Sequence, residues 1–377
     1  MSEYQYYEFQ AIDRPLGDAD RQALRDISTR ARITATRFTN SYEWGDFKGD
    51  PAQLMERWFD LHLYLANWGS RRLMIRMPKR LSNQPRLDGF LRDVDCAELR
   101  SAGENLILDI QCEEIDGDDD DWGEDSRWLA ALAPLRADVL AGDHRLFYLL
   151  WLTAVEAEAV EADELEPLPG IGPMTAALEA FVDFFDLDGD LIEAAAERPV
   201  DACAASTGAA REAIAAMTDG EKTDLLARLF DGEPHVAAEL KTVVRGRLAA
   251  KTGVSPPVAR TAGDLRVRAQ AIRAARERAA AEKAAAEQRR QAAEAEKARR
   301  ARLKAVAARG DDVWREIESE IERRNASGYD RATSLLLDLR TVAEERGATG
   351  AFNRQFQAIR ERHVSKPRFI GRLAAMG

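Results

Sequence analysis

The chain has 377 residues, of which 45% are hydrophobic and 32% charged, with a formal net charge of −12. That length suggests two or three domains with ample chain for a core. The longest apolar runs, such as Leu146–Val155, fall well short of the roughly 20 residues that cross a bilayer, which excludes a spanning helix.

The charge is unevenly spread. Residues 1–259 carry 27 Lys+Arg against 49 Asp+Glu, residues 260–304 carry 14 against 6, and residues 305–377 carry 13 against 11. An acidic front is followed by a basic stretch and a nearly neutral end. Met1–Arg14 has no basic segment leading into an apolar one, so a cytoplasmic protein without a secretory signal is expected. Cys96, Cys112 and Cys203 then read as reduced thiols. Cys96 and Cys112 flank a hairpin and could face each other.

Residues 1–115 read as an α+β domain. Tyr4–Ile12 is aromatic and strand-like, Pro15 interrupts it, and Asp18 or Asp20 caps a helix to Thr29. Ile33–Tyr42 is again strand-like. Asp50-Pro51 opens a helix running to Trp68, with Leu54, Trp58, Leu61 and Leu65 on one face. Arg72–Met77 is a strand, and Val94–Leu99 pairs with Asn105–Cys112 as a hairpin. The order suggests helices packed on one sheet.

After the acidic segment Asp116–Asp125, strand signals vanish. Ser126–Leu140, Leu146–Ala162, Met174–Phe185, Leu191–Glu197, Ala209–Met217, Glu221–Phe230 and Pro234–Ala249 read as helices of an all-α domain over 126–251. Thr218 and Glu221 have capping-box spacing. Pro256-Pro257 marks a linker. Residues 262–309 are almost wholly Ala, Arg, Glu, Lys and Gln, the composition of one long helix, of which about 45 helical residues would span on the order of 68 Å at ~1.5 Å per residue. Its large apolar residues sit only at the ends (Leu265, Val267 and Ile272; Leu303 and Val306), so it lacks the Leu seam of a strong coiled coil. Residues 311–377 form a small helical module with segments Trp314–Arg324, Tyr329–Arg346, Phe352–His363 and Phe369–Met376.

Few segments carry a chemical signal. Leu168-Pro169-Gly170-Ile171-Gly172-Pro173 resembles the phosphate-binding turn of helix-hairpin-helix modules, with Gly170 and Gly172 aiming backbone N–H groups. Pro173 removes an amide there and Met174 stands where a base is expected, so an ordinary loop-to-helix turn is the competing reading. Asp186, Asp188, Asp190 and Glu197 echo a calcium loop, but Leu191 stands where its glycine belongs, and Asp190 reads better as a helix cap. The acidic segment 116–125 reads as a solvated loop. His62, His144, His235 and His363 are far apart and lack ligand spacing, so no metal or other cofactor is assigned. No catalytic motif is present. An enzyme reading would rest on Tyr42, Trp44, Asp46, His62 and Trp68.

The basic helix is the clearest functional surface. Arg273, Arg276, Arg289, Arg290, Arg299, Arg300 and Arg302 could follow a phosphate backbone. Without interleaved aromatics such binding would be nonspecific and salt-sensitive. A spacer or protein-contact helix is the other reading.

Trp314-Arg315-Glu316-Ile317-Glu318, Tyr329-Asp330-Arg331-Ala332, Leu335–Arg340, Phe352 and Ile359–Pro367 resemble the helical tail of bacterial SWIM-type zinc-finger proteins, where an Ala/Arg/Glu-rich helix often precedes it. The resemblance spans about Ala307–Leu373. The zinc-binding Cys-x-Cys and Cys-x-His element is missing, so no zinc ligand carries over. What the resemblance implies is a shared helical interaction module. Tyr4–Leu16 with Trp44-Gly45-Asp46-Phe47 is similar to the front of bacterial proteins of unknown activity and implies none. The expectation is a non-enzymatic adaptor or scaffold with a protein partner. The alternatives are a nucleic-acid-associated accessory protein using the basic helix, or an enzyme with its site in the N-terminal domain. No membrane contact is expected.

Overall fold

Alternating aromatic and aliphatic residues at the front of the chain build a sheet with both faces covered. In the computed structural model, which describes residues 4–113, 115, 126–198, 207–252 and 259–374, the elements are β1 (Gln5–Gln10), α1 (Asp18–Ile27), β2 (Arg32–Ile33), β3 (Arg37–Tyr42), α2 (Pro51–Arg57), β4 (Leu61–Ala66), β5 (Arg71–Pro78), α3 (Gln84–Phe90), β6 (Ala97–Ala102) and β7 (Asn105–Cys112). The acidic segment 116–125, Pro256-Pro257 and Cys203 lie outside the described residues. The strands pair antiparallel in the order β2-β3-β1-β4-β5-β7-β6.

The helix expected from Asp50 to Trp68 ends at Arg57 instead. Asp50 does cap it, accepting from the Ala52 N–H at 2.8 Å. Leu61, Leu63 and Leu65 then alternate, and the segment enters the sheet as β4 between β1 and β5. Leu54, Trp58, Leu61 and Leu65 fit a helical face, but period-two burial against two neighbouring strands prevails. The expected strand Ile33–Tyr42 divides into β2 and β3, which pair with each other.

One face of the sheet gathers Phe9, Phe38, Met74 and Ile107 under Leu24 of α1 and Leu54 and Met55 of α2. His62 belongs to this face, fully buried and stacked on Phe9 at 3.9 Å. Burial lowers its pKa to about 3, so it is neutral at physiological pH. The other face gathers Tyr6, Leu61, Leu63, Leu65, Leu73, Ile75, Leu108 and Ile110.

Helices cover that second face: α4 (Ser126–Leu132), α5 (Pro134–Leu140), α6 (Arg145–Glu156), α7 (Ala176–Phe185) and α8 (Gly189–Ala196). Pro134 divides what reads as one helix into α4 and α5. α9 (Thr207–Ala215), α10 (Asp219–Phe230) and α11 (Val236–Thr252) follow. Thr218 and Glu221 form the reciprocal cap of α10, at 2.7 and 3.3 Å. The strands and the helices up to α8 therefore share one hydrophobic core, although their sequence patterns read as separate domains.

The chain divides into two compact units, Met1–Ala275 and Arg276–Gly377. The long helix α12 (Ala262–Arg309) contributes residues to both. Leu265, Ala269 and Ile272 join the core of the first unit, and Arg266 donates to the carbonyls of Val155 and Val160 at 2.9 and 2.7 Å. No residue between Ile272 and Leu303 is buried. Val306 joins the core of the second unit with α13 (Asp311–Glu322), α14 (Ala326–Glu345), α15 (Thr349–Arg362) and α16 (Pro367–Ala374). There Val313, Ile317, Ile321, Tyr329, Leu336, Ile359 and Phe369 pack together. Among the described residues no helix is long and apolar enough to cross a membrane.

Candidate anion-binding cleft

Most of the arginines that suggested a phosphate track have acidic partners. Arg273 donates to Asp190 at 2.9 Å and pairs with Asp188 at 2.5 Å, which fastens α12 to the start of α8. Arg290 pairs with Glu287 at 2.9 Å, Arg299 and Arg300 share Glu296 at 3.8 and 2.7 Å, and Arg302 pairs with Asp338 at 2.5 Å. Arg276 is also engaged. Arg289 is exposed and has no acidic partner among the described residues. The pairs along the middle of the helix are solvent-exposed and contribute only about 0.3–0.5 kcal/mol each.

Gly170 and Gly172 serve packing. A Cβ on Gly170 would lie 2.1 Å from the carbonyl oxygen of Arg198, and one on Gly172 would lie 2.6 Å from that of Ala196. The Gly172 N–H donates to the Arg198 carbonyl at 3.2 Å, so this amide is spent inside the fold. Gly170 also has φ +153°. Gly170→Ala is expected to destabilise the first unit by about 1–3 kcal/mol, because backbone oxygen cannot move aside as a side-chain tip can. Chemical denaturation of the variant checks this; an unchanged midpoint contradicts the packing role.

The calcium echo dissolves similarly. Asp188, rather than Asp190, caps α8, accepting from the N–H groups of Asp190 and Leu191. Glu197 pairs with Arg268. Among the described residues no group of three His, Cys, Asp or Glu side chains could hold a metal ion.

The residues of the enzyme reading do not converge. His62 is buried among aromatic rings, the Tyr42 hydroxyl accepts from Asn40, Asp46 accepts from Gln5, and Trp44 is 76% exposed. Other buried carboxylates are tied to arginines. Glu166 accepts from Arg260 at 2.8 Å and from the Tyr148 hydroxyl at 2.8 Å. Asp109 accepts from Arg72 at 2.6 and 2.7 Å.

Four cationic side chains meet a concave surface in the second unit. A cleft of about 540 Å³ is lined by Arg324, Asn325, Lys366, Pro367, Arg368 and Arg372, among others. Its walls are the starts of two helices. Asn325 caps α14 by accepting from the Gly328 N–H at 2.7 Å, and Pro367 opens α16. Neither helix has an acidic residue in its first turn, so nothing of their own neutralises the positive ends of the helix dipoles.

The four cations of the cleft differ in what they touch. Lys366 is 10% exposed and donates to Glu322 at 2.6 Å, which holds the Glu322 carboxyl below its usual range. Arg372 donates to Asp330 at 2.7 Å, with its guanidinium 5.8 Å from the centre of the Tyr329 ring. Arg324 and Arg368 are exposed and make no ion pair among the described residues, Arg324 acting on the nearby Glu322 carboxylate only at longer range. Behind the cleft, buried His363 contacts Glu318 at 2.5 Å and joins the end of α15 to α13. Two planar guanidinium groups with free donors suit an anion with several oxygens, such as a carboxylate or phosphate.

Arg324 and Arg368 escape a sequence reading because 44 positions separate them. The available signal is two helix starts, each flanked by cations and free of first-turn acids. Comparison of the chain with protein-family models, with curated proteins and with solved structures found no match.

Proposed function

We propose that this chain is a non-enzymatic adaptor that engages an acidic protein partner through the cleft between the starts of α14 and α16. The observation that carries the reading is the pair of exposed guanidinium groups, Arg324 and Arg368, on a concave surface where the other charged side chains are internally paired. The charge of the two units supports it. Residues 276–377 hold 23 Lys+Arg against 16 Asp+Glu, while residues 1–275 hold 31 against 50. The resemblance of the tail to a helical interaction module agrees with the reading, and a cytoplasmic setting is part of the proposal.

A second reading, nucleic-acid association through α12, is favoured by exposed Arg289 and by the weakness of the neighbouring exposed pairs. Two variants separate the readings. Arg324→Gln with Arg368→Gln is expected to weaken binding of a labelled Glu-rich peptide by about tenfold or more, because two charge-assisted contacts are lost. Arg289→Gln with Arg290→Gln is expected to leave it unchanged. Fluorescence anisotropy at low salt, with a DNA duplex as the second probe, reads both. Duplex binding that depends on Arg289 and Arg290 and ignores the cleft would move nucleic acid to first place.

A further inference from the structure

We propose that Cys96 and Cys112 form an oxidisable dithiol that closes to an intrachain disulfide when hydrogen peroxide reacts at Cys96. The proposal concerns the first unit alone and stands apart from the cleft. Cys96 lies just before β6 and Cys112 ends β7. The Gln111 N–H donates to the Cys96 carbonyl at 2.8 Å, which sets the two cysteines on neighbouring, hydrogen-bonded segments. Both are free thiols, both are half-buried, and both pack against the same hydrophobic cluster.

The pair is chemically unequal. Contact with Cys112 holds the Cys96 thiol below the usual thiol range, against the opposing effect of burial, and the Cys96 sulfur also lies 3.7 Å from the Thr153 hydroxyl. The same contact, with burial, pushes Cys112 up. Cys96 is thus the one that reaches the reactive thiolate form, while Cys112 keeps its proton. Cys96 is one of the residues lining an open cleft of about 360 Å³, with Arg72, Asp95, Gln111 and Glu113.

The chemistry balances without a further reagent. The Cys96 thiolate attacks one peroxide oxygen, the O–O bond breaks, and the leaving hydroxide takes up a proton as water. Cys96 becomes a sulfenic acid. The Cys112 sulfur then displaces its hydroxyl group, forming the S–S bond and a second water. The peroxide is reduced by two electrons, and the two thiols lose two hydrogens. Buried cysteines packed in a core are ordinarily inert, so reactivity under native conditions separates the proposal from a purely structural role.

The test uses the full chain with Cys203→Ser, so that only the two thiols of interest remain. The folded protein is treated with hydrogen peroxide at neutral pH, alkylated and mapped by mass spectrometry. The expected product is a linked Cys96–Cys112 peptide pair that dithiothreitol releases. Adding Cys112→Ser should stop the reaction at a Cys96 sulfenic acid that a 1,3-dione traps. Adding Cys96→Ser should slow consumption of the remaining thiol by about tenfold or more. Recovery of both thiols in reduced form from folded, peroxide-treated protein would overturn the proposal. So would equal reactivity of Cys112 in the absence of Cys96.

Discussion

Replacing Asp60 with alanine is expected to cost about 3–5 kcal/mol of stability in the first unit, because two arginines lose a buried counter-charge at once. Asp60 is fully buried at the start of β4. One of its carboxylate oxygens accepts from the backbone N–H groups of Ile12 and Asp13 at 2.6 and 2.9 Å. The other accepts from Arg76 at 2.8 and 3.2 Å and lies 3.4 Å from Arg136. Arg136 is itself 4% exposed, donates to the Arg76 carbonyl at 2.7 Å and pairs with Asp13 at 2.6 Å. This knot joins the segment after β1, the strands β4 and β5, and helix α5. Asp60→Asn keeps the shape but cannot balance the charge, so it should recover only part of the loss. Urea unfolding followed by near-ultraviolet circular dichroism reads the difference. A cost below about 1 kcal/mol for the alanine variant would mean that water replaces the carboxylate without difficulty.

Phe369→Ala is expected to cost a similar amount, about 3–5 kcal/mol, in the second unit. Phe369 is fully buried, with the rings of Tyr329 and His363 centred 5.7 and 6.3 Å away. Its removal leaves a cavity between α14 and α16, directly behind the basic cleft. A unit of this size is stable by only about 5–15 kcal/mol, so the loss is a large fraction of the total. Amide exchange across 311–374 should accelerate, while the sheet β1–β7, whose core is a separate cluster, keeps its protection. Unchanged exchange near α14 and α16 would contradict this packing.

The same residues explain what the sequence disclosed. Helix α12 is legible almost to its last residue, because an Ala/Arg/Glu/Lys composition favours a helix without tertiary help. The cap at Thr218 is legible because its partners lie three residues apart. Strand β4 is misread, since Leu61 and Leu65 satisfy both periods and the choice between them depends on partners in β1 and β5. Charge compensation behaves in the same way. The i,i+4 pair Glu296–Arg300 is visible in the sequence, whereas Arg273 with Asp188 and Asp190, or Arg302 with Asp338, arises only from folding. The cleft is invisible for that reason, being defined by which arginines the fold leaves outside its ion pairs.

The most direct measurement of the docking claim is amide hydrogen exchange of the full chain with and without a Glu-rich peptide at low salt. Protection is expected at the first-turn amides of Ala326 and Ser327 in α14 and of Arg368 in α16, and should fade as salt screens the contact. Protection confined to the middle of α12 around Arg289, or none in the second unit, would contradict the account.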